Sequence, residues 1–167
     1  WRIFWNSRAM SKAEIIVVCG RICSGKSSFQ AMSYRIVVSN IVRDLMNSND
    51  RLELQKSMHL DHRIAKEILD ILDATSTCIE KGIIKRSPII VDGIRQASIV
   101  DAILKQYPDT TLVWLDVPDR RREERYNKRC NSKDTESFKL ADNKPIELEC
   151  QKIFSIFKDK LQIINNY

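Results

Sequence analysis

Gly20-Arg21-Ile22-Cys23-Ser24-Gly25-Lys26-Ser27 fills every defined position of the pattern G-x-x-x-x-G-K-[S/T]. Glycines at this spacing let the backbone fold into a cradle whose N–H groups, among them those of Cys23, Ser24 and Ser28, wrap a phosphate. A helix beginning at Lys26 adds the partial positive charge of its N-terminus. Lys26 then spans the β- and γ-phosphates of a nucleoside triphosphate, and the Ser27 hydroxyl offers Mg2+ a coordination position. A chance turn is the competing reading, and it sits badly with an apolar strand before the pattern and a helix after it.

A carboxylate and a set of arginines extend the same chemistry. Asp92 follows the apolar run Ile89-Ile90-Val91, so a buried strand would deliver it beside the water shell of a magnesium ion. The plainer alternative is an Asp that ends a strand at a turn with Gly93. Phosphoryl transfer needs positive charge around the transferred group and exclusion of water. Arg120, Arg121, Arg122, Arg125 and Arg129 supply a dense positive set. Arg125 and Arg129 lie one helical turn apart, so their forks can meet at one place. Arg120 to Arg122 read more simply as the solvated face of a charged helix.

These groups need elements to hold them, and the chain alternates strand and helix patterns throughout. Strands are expected at 13–19, 35–39, 87–93, 110–117 and 161–165. Helices are expected from Lys26 to about Met32, from Asn40 to about Met46, and over 61–82 with Asp61 as cap and Gly82 as stop. Further helices are expected over 96–107, 119–130 and 145–160, with Asp142 as a cap for the last. Strands apolar on both faces, alternating with helices, predict an α/β fold: a parallel sheet of about five strands between helix layers. Ligands of such folds bind at the carboxyl ends of the strands, which is where Gly20, Asn40, Asp92 and the arginine set fall.

The 167 residues suit one domain, and the composition is ordinary for a globular protein. No apolar run approaches the ~20 residues of a membrane span, so no membrane partner is expected. The five cysteines have no close metal-ligand spacing; Cys19 and Cys23, in the strand and the loop, read as reduced thiols in a cytoplasmic setting. Trp1–Ala9 precede Met10 and read as a tag remnant, with residues 10–167 as the domain. Without Arg2 and Arg8 the formal charge of +6 falls by two to +4, which still favours an anionic partner.

The motifs resemble those of a known group. "VDGIR" (91–95) is similar to the Asp-Gly-x-Pro-Arg signature of adenylate kinases, here without the proline. Val117-Pro118-Asp119 with Arg125 and Arg129 resembles their lid pattern. "SNIVR" (39–43) resembles the segment after their second strand, with Arg43 on the arginine. "QIIN" near the end is similar to the closing strand of dephospho-coenzyme A kinases. The likeness spans roughly Ala13 to Asn166 and implies a P-loop kinase fold with a short arginine-rich lid. It also implies ATP and Mg2+ as cofactors, with Ser27 and Asp92 toward the metal and Arg43 and Arg95 toward the acceptor. A more particular resemblance joins "GRICSGKS", "RLELQ", "IIVDGIRQ", "VWLDVPDRRREERY" and "KDTESFKLADNKPIELE" to phage kinases that phosphorylate 5-hydroxymethylpyrimidines (5-hydroxymethyluracil type) within DNA. DNA is then the implied acceptor.

The acceptor pocket is expected from residues 39–63 and 93–97, drawing on Asn40, Arg43, Arg51, Gln55, Arg95 and Gln96, with Lys133 as a phosphate contact. A solvent-exposed helix is the alternative for the intervening polar residues, and His59 and His62 have no carboxylate at catalytic spacing. Tyr126 is a candidate base-stacking ring, whereas Trp114 in "LVWLD" reads as core. A hydroxyl acceptor benefits from a carboxylate that takes its proton, and the resemblance implies Asp at position 40, where this chain has Asn. Asn40 is then an engineered replacement that disables a base, or a natural residue with Asp92 or Asp44 as base, or a sign that the acceptor is already a phosphate. The runner-up activity is that of a soluble nucleoside monophosphate or dephospho-coenzyme A kinase. An NTPase binding module is a more distant alternative, and no guanine-specifying Asn-Lys-x-Asp stretch supports it.

Overall fold

A computed structural model describes residues 13–29, 33–48, 57–129 and 136–165. Five strands, β1 (Ile15–Cys19), β2 (Tyr34–Val37), β3 (Ile89–Asp92), β4 (Thr111–Asp116) and β5 (Leu161–Asn165), form one sheet in the order β2-β3-β1-β4-β5. Every neighbouring pair is parallel. The apolar runs account for this: the three central strands are covered on both faces, and their side chains alternate with the period of two that a pleated strand imposes. Ile15, Val17, Cys19, Ile89, Val91, Leu112 and Trp114 point into the main core. Ile16, Val18, Ile90, Val113 and Leu115 form a second cluster on the other face, with Phe29 and Ile164 against it. The fold is α/β with an all-parallel sheet flanked by helices.

Helices α1 (Val38–Met46), α2 (Asp61–Glu80), α3 (Ala97–Gln106) and α6 (Pro145–Ile156) bury their apolar stripes in the main core. On α2 the stripe is Ile64, Ile68, Leu72 and Ile79 at helical spacing, all at most 8% exposed. Trp114 belongs to this core, its ring 5.2 Å from that of Phe154. Helices α4 (Asp119–Lys128) and α5 (Phe138–Asp142) instead lie against the loop after β1, where Ile22, Tyr126, Phe138 and Ala141 make a third, smaller cluster. Among the described residues no helix is long and apolar enough to cross a membrane.

Several elements differ from the sequence expectation. After the loop, the described residues hold one 3-10 turn over Lys26–Ser28, and Phe29 is already extended, where a helix to about Met32 is expected. Ser27 and Ser28 compete with the backbone for hydrogen bonds and are weak helix formers. Helix α1 starts at Val38, because Val38 buries in the core with Ile41 and Val42 on one helical face. The last helix ends at Ile156, not Lys160, and a separate 3-10 turn follows at Lys158–Lys160. Asp142 is not a cap: Lys144 holds the N-cap position of α6, while Asp142 ends α5 and is 4% exposed. The expected remnant, residues 1–9, and the candidate ligands Arg51, Gln55 and Lys133 lie outside the described residues.

Candidate functional site

The loop from Gly20 to Gly25 leaves the carboxyl end of β1, the middle strand of the sheet. Its turn needs three residues at positive φ: Gly20 at 149°, Cys23 at 58° and Gly25 at 92°. A Cβ on Gly20 would stand 2.6 Å from the Ser24 hydroxyl and 3.0 Å from the Leu115 carbonyl oxygen, so the position is closed to any side chain. Ser24 is 1% exposed, whereas Ser27 and Ser28 are exposed on the 3-10 turn.

Lys26 folds back into its own loop. Its ammonium donates to the carbonyl oxygens of Gly20 (2.6 Å) and Arg21 (2.8 Å) and to the Ser24 hydroxyl (3.3 Å). Burial, and then the neighbouring Arg95 cation, lower its pKa to about 8, against the pull of Glu147 and Asp92. A phosphate would offer this cation the countercharge that three neutral oxygens only approximate.

Several distant residues brace the loop. Glu147 of α6, 5% exposed, accepts the Ile22 N–H at 3.1 Å and forms an ion pair with Arg95. Burial, the largest single influence, works to neutralise Arg95, but Glu147, Cys150 and Asp92 together hold its pKa above the ordinary value. Cys150 donates its thiol to the Gly20 carbonyl at 3.6 Å. On the other side, Asp142 accepts from Arg122 Nη1 at 2.6 Å and Nη2 at 3.1 Å, and pairs with the loop residue Arg21. Arg122 is 1% exposed, bonds Asp119 at 2.7 Å, and lies 5.1 Å over the Phe138 ring. Of the three arginines expected on a solvated face, Arg120 and Arg121 are exposed and pair with Glu124, but Arg122 is interior.

Asp92 ends β3, paired in register with Val18 of β1 and Val37 of β2, and is 7% exposed. Its carboxylate accepts from Arg35 of β2 at 3.0 Å. Arg125 of α4 donates to the Cys23 carbonyl at 3.4 Å, so this arginine touches the loop. Arg129 lies 4.7 Å over the Tyr126 ring, which is 5% exposed, so that ring is interior and one face is occupied. Asn40 is exposed in the first turn of α1, and its amide oxygen accepts from Arg43 at 2.8 Å. Gln96 directly precedes α3 and is 4% exposed.

No group of three or more His, Cys, Asp or Glu among the described residues could hold a metal unaided. Mg2+ does not require one: it keeps several waters and is held by one or two protein oxygens plus substrate phosphates. The hard oxygens of Ser27 and Asp92 fit that chemistry, although Arg35 already bonds the carboxylate.

No family model matches the chain, and no curated protein matches it. Solved structures do. The chain is similar to one in the structure of a Pnkp1/Rnl/Hen1 RNA repair complex, at 18% identity and a TM-score of 0.56 over 93% of its length. It spans about half (48%) of that longer chain. It is also similar to an unliganded sugar kinase from Janibacter sp. HTCC2649, at 14% identity and a TM-score of 0.55, covering 92% of this chain and 85% of the other. At these identities the likeness establishes the fold.

Proposed function

We propose that the protein is an ATP- and Mg2+-dependent phosphotransferase that moves the γ-phosphate of ATP to the hydroxymethyl group of a 5-hydroxymethylpyrimidine base in DNA. The observation that carries the phosphotransferase reading is the loop at residues 20–27. It sits at the carboxyl end of the central strand, with Lys26 inside it, Asp92 on the adjacent strand and Arg125 against its Cys23 carbonyl. A similar fold in an RNA repair complex supports a nucleic-acid acceptor, and the DNA base follows from the motif resemblance.

In this reading the hydroxymethyl oxygen attacks the γ-phosphorus. The bond from that phosphorus to the β–γ bridging oxygen breaks, ADP leaves with the electron pair, and the hydroxyl proton passes to a base or to solvent. Lys26 swings from the loop carbonyls onto the β- and γ-phosphates, and the loop N–H groups hold the β-phosphate. Arg125 and Arg129 supply positive charge to the transferred group. Bound between Ser27, Asp92 and the phosphates, Mg2+ would neutralise charge developing on the β–γ bridge. Arg43, Arg95 and Gln96 would bind the acceptor and its phosphates, a role the sequence also assigns to Arg51, Gln55 and Lys133.

One observation favours a second reading. The Asn40 amide oxygen accepts from Arg43, an arrangement that orients but takes no proton. An acceptor that is already an oxyanion, such as the phosphate of a nucleoside monophosphate, needs no base. The two readings separate when the protein and its Asn40→Asp variant are given γ-labelled ATP, Mg2+, hydroxymethylpyrimidine DNA and free nucleoside monophosphates. Label in DNA supports the first reading, and transfer only by Asn40→Asp marks position 40 as a disabled base. Label only on free monophosphates overturns the DNA assignment.

A further inference from the structure

Only fourteen residues separate the end of β1 from the start of β2, and the described helical part is the 3-10 turn Lys26–Ser28. In a longer helix, the carbonyl groups of Lys26 and Phe29 would accept from backbone N–H groups one turn further on. Here Phe29 N–H still bonds the Lys26 carbonyl at 3.1 Å, and Phe29 itself turns extended. A side chain reaches the same carbonyls: Arg35 of β2 donates from Nη1 to the Lys26 carbonyl at 3.2 Å and from Nη2 to the Phe29 carbonyl. The same Nη1 donates to Asp92 Oδ2 at 3.0 Å. One guanidinium, 19% exposed at the side chain, joins the lysine-bearing turn, strand β2 and the carboxylate at the end of β3.

We propose that Arg35 is a positioning residue that closes the shortened turn and also a resident cation that competes with the divalent metal for Asp92. The inference rests on the nucleotide-site reading above. Its two halves follow from two properties of the group. The planar fork supplies several fixed donors at once, so it bridges two carbonyls and a carboxylate, which a lysine ammonium cannot reproduce in the same geometry. Its fixed positive charge lowers the affinity of Asp92 for any second cation, as a neighbouring cation lowers a carboxylate's affinity for a proton. Metal-assisted nucleotide binding therefore requires Asp92 to be shared with Arg35 or released from it, and Arg35 sets the metal concentration at which that happens.

Loss of charge and loss of the fork predict opposite signs in different observables. Mn2+ is titrated against wild type, Arg35→Gln, Arg35→Lys, Asp92→Asn and the double variant Arg35→Gln/Asp92→Asn at fixed ADP. Free Mn2+ is read by electron paramagnetic resonance and bound ADP by fluorescence of a labelled analogue. Arg35→Gln should lower the half-saturating Mn2+ by about tenfold, because it removes a cation 3.0 Å from the carboxylate, while its metal-free ADP affinity falls. Arg35→Lys keeps the charge and should retain the wild-type Mn2+ midpoint with weakened metal-free ADP binding. In the Asp92→Asn background, Arg35→Gln should no longer shift the Mn2+ midpoint. A merely structural arginine would weaken Mn2+ and ADP binding together in both single variants, and that result overturns the proposal. If Arg35→Gln does not fold, a shifted Mn2+ midpoint in Arg35→Lys overturns the competition on its own, and an unshifted one with weakened ADP binding sustains it. Wild type that binds no ADP, with or without metal, would overturn the nucleotide-site reading and this inference together. ADP binding with unchanged Mn2+ midpoints in every Arg35 variant overturns this inference alone.

Discussion

Replacing Asp142 tests whether the loop is held from outside, because its carboxylate joins two cations that sequence places far apart. Asp142 is 4% exposed, bonds both terminal nitrogens of Arg122 and pairs with Arg21 of the loop after β1. Arg122 is 1% exposed, and its other carboxylate partner, Asp119, has a side chain 73% exposed. Asp142→Ala therefore leaves a buried guanidinium with one solvent-screened countercharge. Removing one partner of a buried ion pair costs about 3–5 kcal/mol, which at roughly 2–4 °C per kcal/mol lowers Tm by about 6–20 °C for a chain of this size. Asp142→Asn keeps the shape and one acceptor oxygen, so its loss should be smaller, about 1.5–3 kcal/mol, the worth of hydrogen bonds to a charged group. Asp119→Ala should cost less than about 1 kcal/mol, because the pairs it breaks, with Arg122 and Arg21, are screened by water at the exposed carboxylate. Urea unfolding of the three variants, with ATP titrations beside it, measures each effect. ATP affinity should fall for Asp142→Ala, since Arg21 loses its buried anchor and keeps only the exposed Asp119 at 3.4 Å. If Asp142→Ala unfolds within 1 kcal/mol of wild type, or Asp119→Ala costs as much, the network does not brace the loop as described.

Three further outcomes follow from the loop's geometry and charge. Cys23 stands at φ 58° without being glycine, so Cys23→Gly should relieve strain and leave urea stability unchanged or raised by up to ~1 kcal/mol, despite glycine's entropy cost. Gly20→Ala should lower stability by at least ~2 kcal/mol and reduce ATP binding, since its Cβ would meet the Ser24 hydroxyl at 2.6 Å and a backbone carbonyl at 3.0 Å; unaltered melting and binding would contradict the loop conformation. For Lys26, burial lowers the folded pKa to about 8, below the ordinary 10.5. Between those values the folded state binds fewer protons than the unfolded state, so this group's contribution to nucleotide-free stability rises with pH from 8 to 10.5. The stabilisation by ATP should shrink over the same window as the ammonium is lost, and thermal melts with and without ATP at pH 7 to 10 read both; Lys26→Met should show neither trend.

The legible parts of this protein were the local ones. The glycines and Lys26 occur within eight consecutive residues, and β1, β3 and β4 announce themselves as apolar runs that need no knowledge of their neighbours. The supports of the loop are another matter. Ile22 and Glu147 meet across 125 positions, and Arg21 and Asp142 across 121, distances over which a single sequence carries no pairing signal. Arg35 and Asp92 are 57 positions apart, joined only because β2 and β3 are neighbours in the sheet. Arg122 left a fainter trace: Tyr126 lies four residues on, on the same helical face, and the two turn inward together. Helix phase thus separates Arg122 from Arg120 and Arg121, which residue type alone cannot do. The short turn at Lys26–Ser28 could have been suspected from the fourteen residues available before β2, few for a loop, a full helix and a return.

The most direct test of the central claim is calorimetric titration of ATP, with Mg2+ present, into wild type and Lys26→Met. One site per chain with micromolar affinity, weakened at least about a hundredfold by loss of the lysine's charge-assisted contacts to two phosphates, is the result this account predicts. Absence of ATP binding by wild type, or equal binding by Lys26→Met, would contradict it.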